Sequence, residues 1–199
     1  MYTVRRSSKN PILVPSPERH WELVAFNPSP YVLKKKVELL YRAQGRPDKM
    51  LNPPTALSII GRATQTEADH FEEREPFIVP SESWDKFGCE DPRVTFFEGR
   101  YYTFYTALGG IPFGPDNIKV ACAVSDDMRT VAEKHLVTPF NAKAMALFPE
   151  RVHGKVTVIF AAHTDDKPVR LAIAQADEIT DFWDPAFWEE WHTRLDDYA

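Results

Sequence analysis

The chain has 199 residues, which bounds it at about one domain. Its 24 basic and 29 acidic residues leave a formal charge of −5, so it lacks the basic excess of a general phosphate-backbone binder, and no nucleic-acid partner is expected. No apolar run approaches the ~20 residues of a membrane helix, residues 1–10 lack the apolar core of a signal peptide, and Cys89 and Cys122 alone make neither a disulfide scaffold nor a zinc site; the expectation is a soluble, cytoplasmic protein with no membrane partner, metal or cofactor.

Seventeen prolines and 13% aromatic residues point to short strands joined by long loops rather than to a helical bundle. In chain order, Lys34-Lys35-Lys36 reads as a solvated hairpin tip before a strand over residues 37–43. Residues 93–97 and 100–106 flank Glu98-Gly99 as a hairpin, and Arg151-Val152 and residues 155–160 repeat the design around His153-Gly154. Asn27-Pro28, Asp91-Pro92 and Phe148-Pro149 open three units, with their prolines 64 and 57 residues apart. Each unit runs on to small residues before an acidic turn, at Asp69, Asp126 and Asp177.

This period, with three or four short strands per unit, predicts a radially repeated all-β fold, a β-propeller with units at about 20–75, 88–130 and 143–183. A β-sandwich also spaces its strands evenly and stands as the alternative. Three units are too few to close a ring, so the chain reads as part of a propeller or part of an assembly, which allows a homo-oligomer. Residues 184–199 predict a short helix: Asp184-Pro185 suits its start, and Phe187, Trp188, Trp191, Leu195 and Tyr198 share one face.

The sharpest local feature is Gly88-Cys89-Glu90-Asp91-Pro92-Arg93. On an extended strand Glu90 and Asp91 face opposite sides, so at most one looks into a central pocket. A strand-entry turn with an Asp–Arg ion pair is the plainer reading of this stretch. Asn27 holds the place in unit one that Asp91 holds in unit two, and Arg42 lies on the next strand. An amide, a guanidinium and a carboxylate meeting near an axis would suit sugar hydroxyls. Turn chemistry for Asn27 and a plain ion pair for Arg42 are the competing readings. The six histidines show no metal-ligand spacing, and Ser58 and Ser125 lie in no nucleophile elbow.

These stretches, together with Asn10-Pro11-Ile12-Leu13, Trp21-Glu22, Phe26-Asn27-Pro28, Leu39-Leu40-Tyr41-Arg42-Ala43 and Ala146-Leu147-Phe148-Pro149-Glu150, resemble glycoside hydrolase family 130, the β-mannoside phosphorylases and mannosidases. The resemblance covers nearly the whole chain but only the first three blades of a five-bladed propeller. It implies cleavage of a β-mannoside oligosaccharide with inversion, Asp91 as the catalytic acid, and Asn27, Arg42 and Arg93 binding substrate. Residues that would bind the nucleophile or base from the last two blades are not in these 199 residues.

Two departures bear on the nucleophile. Where the family's phosphorylases carry Arg-Asn-Lys-Asp, the chain reads Asn141-Ala142-Lys143-Ala144, and the arginine ending the next hairpin is matched by Ala161. A phosphate without arginine loses its strongest charge-assisted contacts, which favours hydrolysis over phosphorolysis, with inorganic phosphate the partner in the second case. A non-catalytic sugar-binding or assembly module is the alternative.

Overall fold

The computed structural model describes residues 3–67, 70–164 and 169–199; Asp69, read as the first acidic turn, lies outside them. The strands form three antiparallel units in sequence. The first comprises β1 (Val24–Leu33), β2 (Lys36–Gln44), β3 (Ser58–Glu67) and β4 (His70–Ile78). The second comprises β5 (Gly88–Phe97), β6 (Arg100–Leu108), β7 (Ile118–Ser125) and β8 (Glu133–Leu136), and the third β9 (Ala142–Leu147), β10 (Val156–Ala162) and β11 (Arg170–Ala176). These are blades of an incomplete propeller, and the sheets do not close into a ring among the described residues.

The hairpin tips follow from local chemistry. Glu98-Gly99 and His153-Gly154 take φ of 45° and 91°, and 52° and 79°, the left-handed pair that matches the twist of the flanking strands. Lys34 and Lys35 adopt the same sign without a glycine, at 49° and 67°, and stay exposed.

Apolar faces stack blade on blade. Tyr31, Leu40 and Ile60 of the first blade bury against Cys89, Tyr105 and Ala121 of the second. The second blade's other face, with Phe104, Val120 and Cys122, meets Val158, Phe160 and Ala174 of the third. On the first blade's remaining face, Leu39, Tyr41 and Phe71 are covered by Ile12, Leu13 and Trp21. A single parallel bridge, Ser58 to Gly88, joins the first two blades. Gly88 has φ of 155°, and a Cβ there would come within 3.2 Å of the Leu108 side chain, so the approach favours glycine.

The predicted C-terminal helix is present as two pieces, α1 (Pro185–Thr193) and α2 (Leu195–Tyr198), interrupted at Arg194. Asp184 caps α1 by accepting a hydrogen bond from the Ala186 amide at 2.9 Å, with proline in the first turn. Trp188 and Trp191 bury against Phe140 and Phe160. The Trp191 indole donates to the Ile173 carbonyl of β11 at 3.1 Å. The helix thus lies against the third blade's edge strand, which would otherwise present unpaired backbone groups. No helix of the described residues is long and apolar enough to cross a membrane.

Register corrects one expectation. In β1, Asn27 and Pro28 stand together opposite Tyr41, because pairing jumps from Phe26–Arg42 to Ser29–Leu40. In β5, Asp91 and Pro92 likewise stand opposite Tyr105. In β9 the jump from Lys143–Ala161 to Ala146–Ile159 sets Ala144 and Met145 opposite Phe160. Each is a β-bulge facing a buried aromatic residue. The third counterpart of Asn27-Pro28 is therefore Ala144-Met145, not Phe148-Pro149, which follows the end of β9.

Candidate active site

The bulges decide which side chains meet. Asn27, Asp91 and Ala144 have φ of 51°, 52° and 55°. Asparagine and aspartate tolerate this region best among residues with a side chain, whereas alanine gains no polar contact from it. The kink also breaks the two-residue alternation of the strand. Glu90 and Asp91 therefore do not diverge to opposite faces as a regular strand requires: both reach Arg42.

The cluster is built from four strands, β1, β2, β3 and β5. The Asn27 amide donates to Asp91 Oδ1 at 2.8 Å. Arg42 makes a close ion pair with Glu90 through Nη2 and a longer one with Asp91 Oδ1, at 3.5 Å, through Nη1. Its Nε donates to Ser58 Oγ at 3.2 Å, and its guanidinium lies 4.6 Å from the Phe26 ring centre. Ser58 also accepts from the Gln44 amide at 2.8 Å and donates to Glu90 Oε1 at 2.9 Å. Burial raises the Glu90 pKa above the ordinary glutamate value, with the Asp91 charge adding to it; Arg42, Ser58 and Lys143 oppose the rise without cancelling it. Glu90 and Arg42 are mostly covered, whereas the Asp91 side chain is 37% exposed.

Asn27, Arg42 and Asp91 thus come together. Arg93 does not join them: it is exposed, and its side chain makes no hydrogen bond or ion pair with the described residues. The Asp–Arg pair of the plainer reading does not form, and the cation at Asp91 is Arg42. Sequence reasoning missed Ser58, Gln44 and Phe26 as supports of Arg42. Their only signal was adjacency in register: Gln44 pairs with Ser58, and Phe26 pairs with Arg42. The third blade contributes little polarity, since Ala161 holds in β10 the place of Arg42 in β2, beside Ala144. Lys143 remains as a cation acting on Glu90.

On this incomplete propeller, strands of two blades thus bring an amide, a guanidinium and a partly exposed carboxylate together. The family model described as β-1,4-mannooligosaccharide phosphorylase matches residues 3–191, and the chain belongs to glycoside hydrolase family 130. It is 32% identical over 165 residues to a β-1,2-mannobiose phosphorylase of Thermoanaerobacter sp. (strain X514), covering 78% of this chain and 53% of that protein. It is 26% identical over 190 residues to a 1,2-β-oligomannan phosphorylase of the same organism, covering 92% and 60%. Among solved structures, the β-1,2-mannobiose phosphorylase from Listeria innocua superposes with a TM-score of 0.73 at 21% identity, over 87% of this chain and 63% of that one. The family's solved neighbours are five-bladed propellers, and the described residues of this chain form three blades of that fold. The chain spans a little over half the length of the curated relatives it matches.

Proposed function

We propose that the chain carries the acid side of an inverting β-mannoside-cleaving site, with Asp91 as the acid and Asn27 and Arg42 holding the mannosyl unit. The observation that carries this reading is the meeting of Asn27, Arg42 and Asp91 from separate strands, with Asp91 left open to solvent. Leaving-group departure needs a proton from one carboxylic acid. Asn27 and Arg42 both address Oδ1, so Oδ2 is the oxygen free to carry that proton. Arg93, exposed two residues beyond Asp91 in the chain, is assigned to the more distant part of the sugar.

For the attacking group we propose water. Asn141 and Ala161 stand where the family's phosphorylases carry arginine, and neither an amide nor a methyl group gives a phosphate a charge-assisted contact. Phosphorolysis is the second reading, favoured by the names of the curated relatives and by Lys143. The substrate class is a β-linked mannooligosaccharide.

The test is product analysis on β-1,2- and β-1,4-mannobiose with and without inorganic phosphate. Free mannose as the only product, formed equally in both, is expected. Strict phosphate dependence with mannose 1-phosphate as product overturns hydrolysis. Asp91→Asn should abolish turnover and keep sugar binding. Binding without turnover in the unmutated protein would favour a sugar-binding or assembly module instead.

A further inference from the structure

We propose that Glu90 is a positioning residue for Asp91: it occupies one arm of Arg42, so that the guanidinium reaches the acid only with its far edge. The proposal rests on reading Asp91 as the acid. Two carboxylates on adjacent residues compete here for one cation, a contest that exists only because the β5 bulge turns both to the same side. Arg42 is held at three points. Nη2 binds Glu90, Nε binds Ser58, and the plane lies near Phe26. Ser58 fixes the Glu90 end as well, and Gln44 fixes Ser58. What remains for Asp91 is Nη1 at 3.5 Å, longer than an ordinary charge-assisted bond, while the neutral Asn27 amide sits at 2.8 Å.

The chemical consequence follows from the demands on a general acid. A carboxyl group clamped bidentately by arginine stays ionised and donates no proton. Glu90 prevents that clamp in two ways: it diverts the guanidinium, and it places a like charge beside Asp91. The remaining groups around Asp91 do not substitute for it. From β1 comes the neutral Asn27, while Ser58 of β3 and the Lys143 ammonium of β9 act on Glu90. On β5 itself, Arg93 is exposed and Cys89 turns to Asp85.

The experiment is a carbon-13 carboxyl titration of Asp91 by NMR in the protein without sugar, with the resonance assigned through Asp91→Asn. In Glu90→Gln the Asp91 midpoint should fall by about one pH unit or more, because the like charge is gone and Arg42 is free to pair. An unchanged or raised midpoint overturns the proposal. Ser58→Ala, which loosens Arg42 without removing a charge, should lower the midpoint by a smaller amount; no shift there also counts against the mechanism. A purely structural Glu90 would lower stability and leave the midpoint in place. The readout needs no turnover, so its outcome is separate from that of the mannoside assays.

Discussion

At the scale of single residues, backbone sign matters as much as side-chain chemistry. Asn27 and Asp91 combine a left-handed backbone with a polar tip that finds a partner. Ala144 holds the same backbone on an exposed site with no such return. Left-handed geometry costs a residue with a Cβ ~1–2 kcal/mol, partly offset in glycine by the entropy it loses on folding. Ala144→Gly should therefore stabilise the protein by ~0.5–1 kcal/mol in urea unfolding, and a loss of stability would show that the methyl group packs usefully.

At the scale of elements, buried charge ties the loops to the blades. Asp85 is fully buried between β4 and β5, where its carboxylate makes a close ion pair with Lys134 of β8. It also accepts from the Tyr105 hydroxyl at 2.9 Å and from the Ser81 and Glu82 amides. Burial alone would raise its pKa, but Lys134 and the two amides outweigh that and hold it below the usual aspartate value. A depressed folded pKa adds stability above the unfolded value of ~3.9 and loses it as pH falls through the folded value. Asp85→Asn should cost ~3–5 kcal/mol at pH 7, since Lys134 is left uncompensated, and the gap to the unmutated protein should narrow below about pH 4 in urea midpoints. In the C-terminal segment, Trp188 is fully buried and its indole donates to the Phe182 carbonyl at 3.0 Å. Trp188→Ala should cost ~3–5 kcal/mol, and Asp184→Ala, which removes only the cap, ~1 kcal/mol. Both are measurable by thermal unfolding.

At the scale of the whole molecule, each blade covers its neighbour, and the third blade's far face is left open. Leu171 is 67% exposed and Ile173 41%, with Ile159 opposite Ile173 in register. In the first two blades the corresponding faces are packed cores. An apolar sheet face in water binds hydrophobic dyes and other apolar surfaces. The Leu171→Lys, Ile173→Lys pair should reduce anilinonaphthalene sulfonate fluorescence several-fold while leaving the melting temperature within a few degrees. Undiminished dye binding would place the accessible apolar surface elsewhere.

The recurrence of strand-rich units, the glycine-tipped hairpins, the helix start at Asp184-Pro185 and the convergence of Asn27 and Asp91 were all legible in the linear text. Each depends on neighbours a few residues away or on a repeated dipeptide before proline. The third bulge was not legible, because Ala144-Met145 carries no such dipeptide and is defined only by the β10 residues opposite it. The common side taken by Glu90 and Asp91, and the hold of Ser58 and Gln44 on Arg42, were hidden for the same reason. Alternation along a strand is a local property that sequence alone determines. A bulge shifts that alternation by one residue, and only pairing with a distant strand decides where the shift falls.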